Sequence, residues 1–327
     1  MGQQLGADLY LGPIYTWGTI GGRTDFYMWK PVFLDYSYNF AVRNFRHGSF
    51  GNITKIDNTR QVKNSESFFS VAAGMPLAHR GVFLIRANGG HVNYRYDSDE
   101  LFADDTDHSR YSFFGIKAEL ARNTLDKFLY PRRGSDLKLS GIFVTGRDKY
   151  EPFDAEKFLS RTSRQWVGAR LTWDKYFDMP GCSWFSLGLN VDGVITNHPE
   201  FTTEGATVMS MPAYEPVPHA QMIYMPDFRG KRFAAGGVMP TFDLMPNFFL
   251  RTGFYAMFRE KRSFVPGVSG PVEDKRWHYI AEASLVYHTP IGPVSLALTK
   301  YDLRNWKNMY LTFNFGYAIF APKGTFY

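Results

Sequence analysis

Near the end of this 327-residue chain, large apolar side chains stand at every second position. In Tyr310–Phe320 they are Leu311, Phe313, Phe315, Tyr317 and Ile319, separated by Thr312, Asn314, Gly316 and Ala318. Period-two alternation of this kind makes a strand with one face for an apolar medium and the other for a wet or tightly packed interior. Just upstream, Ile280–His288 and Val294–Tyr301 flank Thr289-Pro290-Ile291-Gly292-Pro293. Its two prolines lack the N–H needed to continue either strand, so this segment is a turn. The pattern is that of an antiparallel up-and-down sheet.

The same reading runs back along the whole chain. Alternating segments fall at about 3–15, 17–28, 31–47, 64–79, 82–98, 110–126, 134–150, 163–179, 182–198, 230–245, 247–262, 275–290, 292–303 and 308–320, with ends uncertain by about 2–4 residues. Phe185, Leu187, Leu189 and Val191 share one face, opposite Ser186, Gly188, Asn190 and Asp192. Tyr36, Tyr38, Phe40 and Val42 likewise oppose Asn39, Ala41 and Arg43, and Val167, Leu171 and Trp173 oppose Arg170. A charge at the middle of a lipid-facing wall costs about 2–4 kcal/mol, so Arg43, Arg170 and Asp192 are expected to point inward. Short turns such as His79-Arg80-Gly81 and Met245-Pro246-Asn247 alternate with longer polar connections at 48–63, 99–109, 151–162, 199–229 and 263–274. Short turns on one side and long loops on the other are the layout of a bacterial outer-membrane barrel.

Composition agrees. Aromatic residues make up 17% of the chain, with 30 Phe and 20 Tyr, more than a soluble core requires and suited to interfacial girdles. Mean hydropathy is −0.29, and no run of about 18 apolar residues exists to form a spanning helix. A soluble β-sandwich or lipocalin-like barrel would have fewer and shorter alternating segments. The expected fold is therefore all-β: one transmembrane antiparallel up-and-down β-barrel over residues 1–327, of fourteen strands with sixteen as the alternative. Residues 199–229 are expected to fold into its mouth or lumen. The +6 net charge is scattered, without the concentrated stripe of a nucleic-acid binder, and fits a charged lumen and strand ends that meet outer-membrane lipid or lipopolysaccharide. Cys182 is alone, so no internal disulfide or thiol metal site is expected. Met1-Gly2-Gln3-Gln4 runs straight into strand pattern, without a signal peptide, so this sequence is expected to be a mature form or part of something longer.

Four stretches resemble the barrel of the BamA/TamA superfamily, most nearly the branch fused to patatin-like phospholipases in Bacteroidetes-type bacteria. Tyr287-His288-Thr289-Pro290-Ile291-Gly292-Pro293-Val294 is similar to the family's turn before the penultimate strand. Leu311–Phe320, with Phe313, Phe315, Gly316 and Phe320, resembles its closing strand. Asn123-Thr124-Leu125-Asp126 with Tyr130-Pro131-Arg132-Arg133-Gly134 resembles a periplasmic turn, and Asp227-Phe228-Arg229-Gly230 an Arg-Gly loop motif. Together they span about residues 120–320. Three features depart from the family: fourteen strands are counted against its usual sixteen, Lys231 follows the Arg-Gly pair in place of an aromatic residue, and Phe248–Phe258 lacks the acidic partner common on the following strand. The resemblance implies that Arg229 plugs the lumen, with Asp192 or Glu282 expected to receive it.

Chemistry-bearing motifs are few. There is no Gly-x-Ser-x-Gly elbow, no phosphate-binding glycine loop, and no His-x-x-x-His spacing among the eight histidines. Asp104-Asp105-Thr106-Asp107-His108 lacks the Gly and terminal Glu of a calcium loop and reads as solvated charge. Ser284 and His288 lie about 13–14 Å apart along a strand, too far for a nucleophile and its base. No enzyme activity and no cofactor are expected. The leading expectation is a membrane anchor or translocator for a periplasmic or surface partner, or for a fused N-terminal domain. An outer-membrane protein assembly factor and a passive pore or transporter are the alternatives.

Overall fold

The computed structural model describes residues 2–11, 15–27, 31–46, 61–97, 106–151, 160–179, 181–217, 220, 225–260, 276–290, 292–301, 309–316 and 323–326. Its strands are β1 (Gly2–Tyr10), β2 (Tyr15–Tyr27), β3 (Pro31–Arg46), β4 (Gln61–Leu77), β5 (Gly81–Asp97), β6 (Thr106–Asn123), β7 (Gly134–Glu151), β8 (Ser160–Met179), β9 (Cys182–Thr196), β10 (Arg232–Met245), β11 (Phe248–Arg259), β12 (Trp277–Thr289), β13 (Gly292–Tyr301) and β14 (Met309–Phe315). They form one fourteen-stranded sheet in sequence order, each described strand lying beside its chain neighbour in antiparallel register. Each of the fourteen alternating segments coincides with one strand. Sixteen strands are not reached among the described residues.

Alternation sorts the side chains as the sequence implies. Phe69, Val71, Leu139, Val167, Ile195, Leu311, Phe313 and Phe315 are exposed on the outer face, while Glu66, Ser70, Val144, Asp192 and Val194 are buried on the inner one. In water such a continuous apolar exterior would drive aggregation; in lipid it is the solvated surface. Aromatic clusters mark opposite ends of the strands. Trp277 packs against Phe258 at 5.1 Å and stacks on Tyr279 at 6.3 Å. At the other end Phe185 packs on Phe242 at 5.2 Å and Phe248 on Tyr287 at 6.5 Å.

One buried cluster joins Phe68 on β4, Tyr111 on β6, Trp166 on β8, Tyr255 on β11, Ile280 on β12 and Tyr301 on β13. Side chains from strands this far apart meet only if the sheet curls around them. At its two edges, β1 and β14 do not pair with each other among the described residues. Here the structure differs from the full closure that the sequence pattern implies. β14 pairs over only seven residues, and Gly316, at φ +80°, follows it in a left-handed conformation. β1 is exposed along nearly its whole length.

Candidate functional site

The interior is filled from above by the β9–β10 connection. Thr203 caps α1 (Glu204–Ser210), its hydroxyl accepting from the Ala206 amide, and Thr207 Oγ1 donates to the Thr203 carbonyl at 2.7 Å. Pro212 follows and prevents continuation. The chain then returns beside itself, through a short 3-10 helix at Pro226–Phe228. Ala213 and Arg229 form an antiparallel bridge, with Tyr214 N donating to Phe228 O at 2.9 Å and Gly230 N to Pro212 O at 3.1 Å. Phe201, Ala206, Met209, Tyr214, Val217 and Phe228 belong to the same buried cluster as the inner walls.

Arg229 is at the centre of this fold-back. Its Nη1 donates to Met209 O at 2.9 Å and Met211 O at 3.2 Å. These carbonyls lie at the end of α1, where helical geometry leaves oxygens without helical donors. Phe228 is buried, edge-on to Tyr301 at 6.2 Å and His278 at 5.7 Å. A Cβ on Gly230 would lie 3.5 Å from Arg259 Cβ, an ordinary contact.

The carboxylates expected beside Arg229 are engaged with other groups. Asp192 takes both arms of Arg170, at 3.0 Å from Nε and 2.6 Å from Nη2. Arg170 also donates to Ala213 O at 3.1 Å, tying the loop to β8. Glu282 accepts from Ser284 at 3.0 Å and Thr299 at 3.1 Å. Glu215, in the proline-rich part of the loop, lies 4.0 Å from Arg229. Burial pushes the Glu215 carboxyl up, but Lys323 and Arg229 outweigh it and hold the group below the usual carboxylate range. His198, at the root of the loop, is packed 4.5 Å from Trp166. Burial pushes its pKa down to about 3, so it is neutral.

Residues 323–326 enter the same interior. Lys323 Nζ donates to both Glu215 oxygens, at 3.0 and 2.9 Å. Gly324 N donates to Glu66 Oε2 at 2.9 Å, and Asn88 Nδ2 donates to Gly324 O at 2.8 Å. Glu66 is in turn paired with Arg43 at 2.5 Å. A small cavity of about 30 Å³ lies among Arg43, Asn64, Glu66, Glu215, Arg229 and Lys323.

From below, the β6–β7 turn folds inward. Asp126 Oδ1 accepts from the Arg132 and Arg133 amides at 3.0 and 3.2 Å. Gly134, at φ +99°, brings its backbone so near Thr124 that a Cβ would sit 2.2 Å from the Thr124 carbonyl. That turn swings Tyr130 into the mouth, against Phe249 and Val286 and under the Arg251 guanidinium at 5.5 Å. In the β12–β13 turn, Pro290 is exposed, while Gly292 and Pro293 are buried. Thr289 Oγ1 donates to Gly292 O at 2.6 Å, and Gly316 N to Pro293 O at 2.9 Å. Phe320, Asp104 and Asp105 lie outside the described residues. Among the described residues no cluster of three or more His, Cys, Asp or Glu side chains is placed to hold a metal.

A curled antiparallel sheet with an apolar exterior and a filled, charged interior defines a membrane-spanning β-barrel. No protein-family model matches the sequence, and no curated protein matches it. Among solved structures the chain is similar to BamA from Haemophilus ducreyi lacking POTRA domains 1-3, with a TM-score of 0.62 at 13% identity. The match covers 95% of this chain and 63% of that one, so this chain spans less than two thirds of its length. It also aligns with CdiB from Acinetobacter baumannii at a TM-score of 0.35 and 8% identity, over 94% of this chain and 57% of that one. The fold is that of a BamA-type β-barrel.

Proposed function

We propose that this chain is an outer-membrane barrel that serves a protein partner, as anchor or translocator, and not an open pore for small solutes. One observation carries the reading: the interior is occupied from both ends. Arg170 and Arg229 hold the β9–β10 connection within it, and the β6–β7 turn reaches into the lower mouth through Tyr130, which is bonded to Ser295 on β13. The partner is a periplasmic or surface protein, or a fused N-terminal domain; a patatin-like domain in that place rests on the sequence resemblance alone. The outer face meets membrane lipid and lipopolysaccharide. An assembly factor for other barrels is the second reading, favoured by β1 and β14 standing at the sheet's two edges, unpaired with each other among the described residues, where an edge strand offers backbone donors and acceptors to an incoming strand.

Planar-bilayer recording on the purified chain tests the first reading. The native protein is expected to show no steady conductance, and Tyr130→Ala combined with deletion of residues 204–210 is expected to produce it. A large steady conductance in the native protein would overturn the proposal in favour of a pore. Depletion in the source cell separates the second reading: a general fall in other outer-membrane barrels indicates assembly, and unchanged levels indicate an anchor or dedicated translocator.

A further inference from the structure

We infer that the inner wall of β4, β5 and β6, together with Glu215 of the β9–β10 connection, is a peptide-binding site for a Lys-Gly-Thr-Phe segment, occupied here in cis by residues 323–326. It does not depend on the translocator reading.

The match is specific at three of the four positions. Glu215 takes the lysine ammonium on both oxygens. Both backbone polar groups of Gly324 are met by wall side chains, Glu66 for the N–H and Asn88 for the carbonyl. Both wall residues are buried, and Arg43 holds the Glu66 carboxylate in place. A Cβ at position 324 would lie 2.7 Å from Phe113 Cζ and 2.9 Å from Phe68 Cδ1. A side chain at this position would have to push both rings aside, so glycine fits it without displacement. The Phe326 ring lies over Gly115, where an added Cβ would come within 2.9 Å of it.

A segment merely packed into free space would not have both backbone groups received by buried side chains from adjacent strands. Position 325 is less constrained. Thr325 borders the small cavity, beside two buried atoms without a hydrogen-bond partner, Arg43 Nη2 and Asn64 Oδ1. The site therefore reads Lys-Gly-x-Phe, with a polar residue preferred at x.

The test uses the full chain in detergent, with Cys182→Ser to remove the native thiol. In Thr325→Cys the new thiol is expected to react with maleimide at least about tenfold more slowly than in the same protein unfolded in urea. Equal rates would overturn docking in cis. Gly324→Val is then added to displace the segment, and a fluorescent peptide of residues 321–327 is titrated against it. Saturable binding to the variant, with at least about tenfold weaker binding to the native chain and to a scrambled peptide, is expected. No binding to a folded variant whose introduced thiol reacts freely would overturn the peptide site. If Gly324→Val does not fold, Lys323→Ala takes its place, because it removes the Glu215 anchor without crowding the two rings.

Discussion

Tyr130 and Ser295, 165 positions apart, meet across the lower mouth of the barrel, the tyrosine hydroxyl 2.9 Å from the serine oxygen. The contact joins the β6–β7 turn to β13 and explains why Tyr130 holds a left-handed backbone, at φ 54°. Such a conformation costs about 1–2 kcal/mol for a residue with a Cβ, and the packing of the ring with Phe249 and Val286 offsets it. Tyr130→Phe removes the hydrogen bond alone and is expected to lower stability by about 0.5–1.5 kcal/mol. Tyr130→Ala also removes the ring and is expected to cost about 3–5 kcal/mol. Urea unfolding in detergent, followed by tryptophan fluorescence, measures both; equal losses would mean that the ring contributes nothing.

The Glu215–Lys323 pair makes stability depend on pH at two limbs. The folded pKa of Glu215 lies below its ordinary value of 4.5. Its contribution is therefore present above that value and is lost as pH falls through the lower folded one. Burial pushes Lys323 from 10.5 down to about 8, with Glu215 only partly offsetting it. The folded state thus sheds this proton before the unfolded state does, and its contribution to stability rises with pH between about 8 and 10.5. Glu215→Gln is expected to flatten the acid limb and Lys323→Met the alkaline one. Unfolding midpoints collected across both windows for native and variant proteins provide the check.

Strands were the legible part of this chain, and interior contacts were not. Period-two alternation assigns Phe313 to one face and Asn314 to the other, and prolines mark the turns, so each strand reads from its own residues. Alternation does not identify what an inward side chain meets. Asp192 and Glu282 lie on inward strand positions and were natural partners for Arg229. Which loop carboxylate folds back to that arginine is set by tertiary packing, and Glu215 stands in a proline-rich stretch that reads as a stiff connector. The helix Glu204–Ser210 did leave a local signal. Thr203 is a capping residue, Val208, Met209 and Met211 supply an apolar run, and Pro212 supplies a stop. Nothing local to Lys323 or Gly324 points to Glu66, 258 positions from Gly324.

Arg229 tests the internal order of the loop. Its guanidinium spans two carbonyls, and hydrogen bonds from a charged donor contribute about 1.5–3 kcal/mol. Arg229→Ala is expected to speed protease cleavage within residues 199–229, and Arg229→Lys is expected to restore part of the protection, because both bonds come from the one nitrogen Nη1 and an ammonium also carries several donors on one nitrogen. The effects of Arg229→Ala and Asp192→Asn on stability are expected to add, whereas those of Arg170→Ala and Asp192→Asn are not. Strong coupling between Arg229 and Asp192 would contradict the pairing seen here.

Phe69 tests what surrounds the barrel. It stands at the middle of β4, 66% exposed on the outer face, with its ring 4.9 Å from that of Tyr38 on the adjacent strand. Leu77 is the last residue of the same strand and faces the same way, 38% exposed. If the outer face is solvated by lipid, a charge introduced at each position samples a different depth. Arginine at the bilayer midplane costs about 2–4 kcal/mol, and near the interface about 0–1 kcal/mol. Phe69→Arg is therefore expected to lose much more stability than Leu77→Arg when both are unfolded from lipid vesicles. In water neither charge would cross a low-dielectric layer, and the two losses would differ only by the packing of each side chain. A large difference in vesicles that shrinks on transfer to a short-chain detergent places the middle of β4 in hydrocarbon; equal losses in vesicles would mean that no bilayer covers this face.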